Sequence, residues 1–513
     1  MKQRTHIPFK LTAIGALVLA ASGVAAQDEE QTEAAGPYAP LLLETRPLDT
    51  RWQTNYAGGA EIGLGYVNDD NFMFGQYNGL HEEGATLIGN LRWQDFSNSD
   101  SYWRASLDDL GLDTREGEIA WGRSEGLQLA FGFDSQIQVR NNSGETPFRG
   151  TNSPLRLPDD WQTGSITGDF AQLDTSLRQF DREIERDTLF GTLTMPLGSQ
   201  WRLDTTLSYE QKEGTGDTAG AMYIDATTGD AVLLPRPVDY ETTEFDLGLT
   251  YSGDQLSLEG RLDYSDFDNK EDILIWENPY RSRIPDSAGG LGQAPDNDQL
   301  RGRITGLYRI SATARFQFDG SYAVANQDQD YLDYSVNPAA EITEPLPRDN
   351  FDGEAQTGTL NARLWLRPLD KLDFDLFYKG RERDYDNPRD GYRYIRGDGL
   401  SQPREALTVY NTSHHFISQT VGIEGTYRLP MRSRLQLGYA FESVERENAA
   451  VEETEEDRVN LGFRTQPWSN FTTRFDVLYG NRSADTYNWD QRYYALLDVE
   501  LINATPDSQR YIN

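Results

Sequence analysis

The stretch TEFDLGLTYSGDQLSLEGRLDY, residues 243–264, decides the fold. Phe245, Leu247, Leu249 and Tyr251 fall on one side of an extended chain, while Glu244, Asp246 and Thr250 fall on the other. After Ser252-Gly253-Asp254 the alternation resumes, with Leu256, Leu258, Leu262 and Tyr264 opposing Ser257, Glu259, Arg261 and Asp263. A period of two on either side of a turn is a β-hairpin. Its apolar face must meet either a protein core or lipid.

The same pattern recurs in FQFDGSY (316–322), LDFDLFY (372–378) and FTTRFDVLY (471–479). Connection lengths choose between the two environments. Short turns are expected at Ser252–Asp254, Ile310–Thr313, Arg367–Asp370, Leu429–Ser433 and Gln466–Ser469, and long polar loops at 265–298, 325–354 and 382–416. Upstream strands are expected near 58–66, 84–93, 101–109, 116–122, 125–134, 186–195 and 200–210, with long connections at 135–185 and 211–240. Short turns on one side and long loops on the other describe a large antiparallel outer-membrane β-barrel, all-β, with periplasmic turns and extracellular loops. Aromatic residues at two levels fit interfacial girdles: Tyr251, Tyr308, Trp365 and Tyr427 near the turns, and Tyr264, Tyr322, Tyr378 and Tyr479 at the opposite ends.

In such a barrel the apolar face meets lipid and ionised side chains look into the lumen. Glu244, Asp246, Arg261, Asp263, Arg315, Asp319, Arg363, Asp373, Asp375, Arg474 and Asp476 are therefore the expected lumen-facing residues and the candidates for contact with whatever occupies the bore.

Lys2, Arg4 and Lys10, an apolar run from Leu11 to Ala21, and Val24-Ala25-Ala26 form a secretory signal peptide over 1–26. A periplasmic segment over 27–57 and a barrel over 58–513 are expected to follow. Beyond the signal no apolar run is long enough for a helical span. The chain has no cysteine, which excludes disulfides, thiolate metal sites and c-type haem attachment in this polypeptide. A formal charge of −36 argues against nucleic acid, whose binding relies on Lys and Arg.

The run GYVNDDNFMFGQYNGLHEEG (65–84) resembles the N-terminal signature of the MtrB/PioB family of decahaem-associated outer-membrane β-barrel proteins. LPDDWQTGSITGDFAQLDTSLRQFDREIERD (157–187), FDLGLTYSGDQLSLEGRLDYSDFDNKEDILIWENPY (245–280) and LPRDNFDGEAQTGTLNARLWLRPLDKLDFDLFYKGRERD (346–384) resemble later family segments in the same order. The resemblance implies a non-enzymatic, porin-like sheath for extracellular electron transfer. It would hold a periplasmic decahaem c-type cytochrome inside the barrel, sometimes with a surface multihaem cytochrome, and all haem would be carried by the partner. The alternative is a general diffusion porin for small solutes. Phe72, Phe74, Tyr77, Gly75 and Gly79 are expected to shape a tight, aromatic-packed loop that caps the rim or docks a partner.

Two features depart from the family pattern. The Cys-x-x-Cys that some relatives carry near the mature N-terminus is missing, and the polar ending ALLDVELINATPDSQRYIN (495–513) is unlike the aromatic-terminated closing strand of bacterial barrels. The chain is accordingly expected to lack closing strands after about seventeen or eighteen. His414 and His415 read as a solvated loop, since neighbours in an extended chain point opposite ways. Acidic clusters at 266–269, 296–298, 328–330 and 384–387 read as solvated or as cation bridges to lipopolysaccharide, because none has the EF-hand spacing. No nucleophile-elbow, zincin or phosphate-loop motif occurs.

Overall fold

A computed structural model describes residues 58–487, apart from 99, 224–228, 283, 285, 341–344 and 394–407. The expected signal peptide and periplasmic segment, and the polar C-terminal ending, lie outside the described residues. Strands β1 (Gly58–Val67), β2 (Gly84–Asn98), β3 (Ser101–Leu110), β4 (Glu116–Arg123), β5 (Gln128–Thr146), β6 (Arg178–Leu197), β7 (Trp201–Tyr223), β8 (Gly229–Ser252) and β9 (Leu256–Asn269) form a meander. A small hairpin, β10 (Ile273–Glu277) and β11 (Ala288–Gly292), interrupts it before β12 (Asn297–Ser311), β13 (Ala314–Gln327), β14 (Gly353–Leu369) and β15 (Leu372–Asp386). A second, β16 (Gly391–Arg393) and β17 (Thr408–Tyr410), precedes β18 (Phe416–Leu429), β19 (Ser433–Arg446), β20 (Glu453–Trp468) and β21 (Phe471–Ala484). Two single-turn helices, α1 (Phe72–Gly75) and α2 (Leu173–Ser176), sit in the connections.

Leaving out the two hairpins, all the strands belong to one seventeen-stranded sheet in which each is antiparallel to its chain neighbours. Among the described residues β1 pairs only with β2 and β21 only with β20. The expected turns are present. At the β18–β19 turn Met431 and Arg432 both adopt left-handed φ, 60° and 52°, as a tight reversal requires.

Register carries one face across nine neighbouring strands. Tyr479, Val459, Tyr439, Ile423, Leu376, Leu364, Phe316, Tyr308 and Leu256 stand directly opposite one another in turn across β21 to β9. Because side chains alternate strictly, Asp373 and Asp375 lie on the other face from Phe374 and Leu376. The apolar face is the exposed one: Leu437, Phe475 and Phe131 are 58%, 58% and 61% exposed. A water-soluble sheet does the opposite. An apolar surface whose large side chains are exposed on strands from β1 to β21 belongs against lipid.

Two expected loops are not loops. Residues 211–240 are largely the upper halves of β7 and β8, which continue as paired strands to Tyr223 and from Gly229. Likewise β5 runs on to Thr146 and β6 begins at Arg178, which shortens the 135–185 connection to 147–177. Polar residues on both faces there erase the apolar alternation, yet strand pairing outside lipid needs no apolar face.

The one hydrophobic core cluster of the described residues lies beyond the apolar belt, on the loop side. Phe148, Leu155 and Leu157 from the 147–177 connection join Leu274, Trp276 and Tyr280 from the 270–296 connection. Together they pack on Met222, Val232 and Leu234 at the top of the β7–β8 hairpin. Leu155 exchanges backbone hydrogen bonds with the β10 strand at Ile275 and Glu277, which stitches the two connections together.

The 68–83 connection is compact but not packed through its aromatics. Asn71 caps α1 by accepting from the amides of Met73 and Phe74, and Gly75 is buried. Phe74 and Tyr77 are 61% and 64% exposed, which corrects the expectation of an aromatic-packed loop. The anchor is instead buried His81, whose Nε2 meets Glu183 Oε2 of β6 at 3.2 Å. Gly79 is also needed, because its φ is +75° and a β-carbon there would strike Asp113.

Candidate functional site

The charged face opposite the apolar belt is built strand by strand from the polar half of the alternation. Asp246, Asp263 and Arg301 stand directly opposite one another on β8, β9 and β12. Arg261 reaches Asp246 at 2.6 Å and also Glu259, and Arg303 meets Asp263 at 2.5 Å. Arg301 reaches the same Asp263 at 3.3 Å. The result is a continuous network of alternating sign across three strands. Glu244 lies on this face opposite Ser208 and Ser265.

Further round the sheet Asn361 donates to Asp319 at 2.8 Å, and Arg363 lies 3.2 Å from Asp375. Asp373 accepts from both Arg367 at 2.6 Å and Arg428 at 2.9 Å. Arg474 and Asp476 pair along β21 at 2.6 Å. Register therefore places all eleven sequence-derived candidates on one face, spread over β8, β9, β13, β14, β15 and β21 rather than gathered in one focal cluster.

Several members of this face were not anticipated. Trp365, expected in the turn-side girdle, pairs with Arg315 and Asp375 and so lies on the charged face. There Arg315 and Arg367 lie 5.1 and 4.8 Å from its ring, one cation–π contact each. Arg301, Arg303, Arg367, Arg428 and Arg458 also belong to the face. The β12 pattern hides two of them, because Gly302 and Gly306 occupy apolar-face positions and blur the alternation.

The girdles otherwise hold. On the turn side the rings of Trp201 and Tyr251 meet in a tilted contact at 4.8 Å, and those of Trp103 and Trp121 in another at 6.3 Å. On the loop side Tyr322, Tyr378 and Tyr439 donate to Gln356, Gln419 and Asp457 of the next strand. Such tyrosines keep a ring in lipid and a hydroxyl at the polar boundary.

On β7 and β8 Gly220, Met222, Val232 and Leu234 share the charged face by alternation, so the buried core of the loops sits on that side. The connections 147–177 and 270–296 therefore fold over the charged face rather than away from it. Lys270 at the base of the second is held by Asp268 at 2.9 Å and Glu241 at 3.0 Å, which raise its pKa well above the usual lysine range. His415 is not a solvated residue, since its Nδ1 meets Asp384 at 3.0 Å, whereas His414 is exposed. Among the described residues no group of His, Asp and Glu has metal-binding geometry.

A lipid belt, two aromatic girdles and a charged inner wall are features of an outer-membrane barrel. The family model described as "Putative outer membrane beta-barrel porin, MtrB/PioB" matches residues 66–497. The chain belongs to the MtrB/PioB family. Its charged face is thus the lumen wall, its short turns are periplasmic and its long connections extracellular, in the bacterial outer membrane. A curated relative, outer membrane protein MtrB of Shewanella baltica (strain OS185), is 22% identical over 439 residues, which cover 85% of this chain and 60% of the relative. The chain thus spans about three fifths of that relative's length.

Among solved structures, the ferric-catecholate import receptor Fiu of E. coli K12 is 8% identical with a TM-score of 0.36, covering 84% of this chain and 66% of that one. The copper transporter OprC is 10% identical with a TM-score of 0.37, covering 84% and 63%. Likeness at that level does not define a shared function.

Proposed function

We propose that this MtrB/PioB barrel is a non-enzymatic sheath that holds a periplasmic multihaem c-type cytochrome in its lumen, so that electrons cross the outer membrane through the partner's haems. The observation that carries the reading is a face of a seventeen-stranded sheet, opposite the lipid belt, that is lined with ion-paired charges. Barrels of about 16–18 strands already leave an aqueous channel, so a wall this wide can surround a folded polar partner. Mixed charges tied into ion pairs offer that partner hydrogen-bonding groups of both signs without a strong net field. The chain supplies no cysteine for haem attachment, so the redox groups would come with the partner, decahaem in the family pattern, and a surface multihaem cytochrome could extend the chain outward.

The test is purification of the tagged protein from native membranes with a visible spectrum. A stoichiometric haem band that survives washing is the expected result. A folded, haem-free preparation that conducts ions in a planar bilayer would instead make it a diffusion porin for small solutes.

A further inference from the structure

The turn side of the lumen wall carries an arrangement that the ion-pair networks do not absorb. Arg428 on β18 stands directly opposite Arg434 on β19, Arg434 opposite Arg464 on β20, and Arg464 opposite Arg474 on β21. Directly opposed residues on neighbouring strands place their β-carbons only about 5 Å apart, and like charges so placed repel. Two of the four are neutralised, Arg428 by Asp373 at 2.9 Å and Arg474 by Asp476 at 2.6 Å. Arg434 and Arg464, the middle pair, have no carboxylate, hydrogen-bond or ring partner among the described residues, and both are exposed. Arg309 and Arg315 repeat the motif as opposed neighbours on β12 and β13.

This concentration of cation runs against a chain whose formal charge is −36. Elsewhere on the same wall arginines alternate with acids, as in Arg261–Asp246 and Arg104–Glu118. A row of unmatched guanidiniums costs the sheet electrostatic energy that an anion in the lumen would relieve. The guanidinium fork suits carboxylates in particular. The row faces inward at the periplasmic mouth, where neither lipid nor lipopolysaccharide reaches it.

We infer that the row Arg428–Arg434–Arg464–Arg474 is a docking site for a carboxylate-bearing surface of the lumenal partner, read at the periplasmic entrance of the barrel. The inference rests on the sheath reading for the partner's identity, while the carboxylate chemistry stands on the row itself. The site orients what enters from the periplasm, and its contribution is weakened by salt as the Debye length shortens.

The experiment compares the wild type with Arg434→Gln/Arg464→Gln, with the charge-retaining Arg434→Lys/Arg464→Lys, and with the charge-matched control Arg156→Gln/Arg348→Gln in the extracellular connections, whose arginines already pair with Glu277 and Asp390. Each barrel is checked for folding by its heat-modifiable gel mobility. Two readouts are taken: haem per barrel after purification from native membranes, and binding of fluorescent poly-L-glutamate to the detergent-purified, haem-stripped barrel at low and high salt. The expected result is at least tenfold weaker poly-glutamate binding and loss of most co-purified haem in the glutamine variant. The lysine variant, which keeps the charge but not the fork, should fall between the glutamine variant and wild type, the control should stay near wild type, and high salt should remove the differences. Poly-glutamate binding unchanged in a folded glutamine variant overturns the docking row. Loss of poly-glutamate binding confined to the glutamine variant, together with a wild type that never brings haem, would keep the row and overturn the cytochrome sheath.

Discussion

Trp276 packs directly onto Gly220, where a β-carbon would lie 2.2 Å from the indole Cζ2. Gly289 forms the other wall of the slot at 2.3 Å, and the indole nitrogen points at Met222 Sδ at 3.0 Å. One side chain thereby fastens the extracellular 270–296 connection to the lumen side of the β7–β8 hairpin. Gly220→Val is expected to unseat the indole, and Trp276→Ala to destabilise the cap by about 3–5 kcal/mol, the usual cost of emptying a buried tryptophan site. Limited proteolysis should then nick 147–177 and 270–296 while the barrel keeps its heat-modifiable mobility. Loss of the barrel itself would show that the cap and the wall fold as one unit.

The lipid belt makes an asymmetric prediction on one strand. Leu461 lies on the apolar face between Leu437 and Val477, and Asn460 next to it faces the lumen beside Gly438. Leu461→Arg should cost about 2–4 kcal/mol if it lies near the bilayer midplane, while Asn460→Arg should change stability little. Urea unfolding in liposomes followed by tryptophan fluorescence measures both. A larger cost at Asn460 than at Leu461 would mean that the faces are assigned the wrong way round.

How far these faces could be read from the sequence varied with the environment of each strand. Where a strand crosses lipid the alternation is forced, so Phe374 and Leu376 separate cleanly from Asp373 and Asp375. Beyond the belt both faces of a strand meet water or loops, and the upper halves of β7 and β8 carried no period to read. Trp365 was misplaced for a related reason, since an aromatic near a turn serves a girdle on one face and a cation–π stack on the other. The cap core was invisible because Leu155 and Trp276 are far apart in sequence and meet only once the loops fold inward. Individual lumen charges were found by parity, but their partners depend on register, which no single strand encodes.

Asp373 joins two arginines on neighbouring strands, Arg367 at 2.6 Å and Arg428 at 2.9 Å. Its side chain and that of Arg367 are only 13% and 12% exposed. Asp373→Asn should leave both guanidiniums short of charge and lower stability by about 1.5–3 kcal/mol, the range for hydrogen bonds to charged groups. The loss should be non-additive with Arg367→Gln, as expected of groups sharing one partner. Chemical denaturation of the four corners of the double-mutant cycle gives the coupling directly, and additive losses would remove Asp373 as the bridge.

Glu271 offers a pH test of the cap, outside the membrane belt. It is half-buried just after β9, and its carboxyl pKa is raised, first by burial and then by the nearby Asp239. A carboxyl raised on folding favours the folded state in its neutral form. Its contribution is complete below the unfolded value, about 4.3, and is lost as pH rises through the higher folded value. Hydrogen exchange in 270–296, corrected for intrinsic rate, should therefore show weaker protection at about pH 7 than at about pH 4. Glu271→Gln should flatten that dependence and retain the protection seen at low pH. A variant that keeps the wild-type pH dependence would move its origin to another acid of the cap.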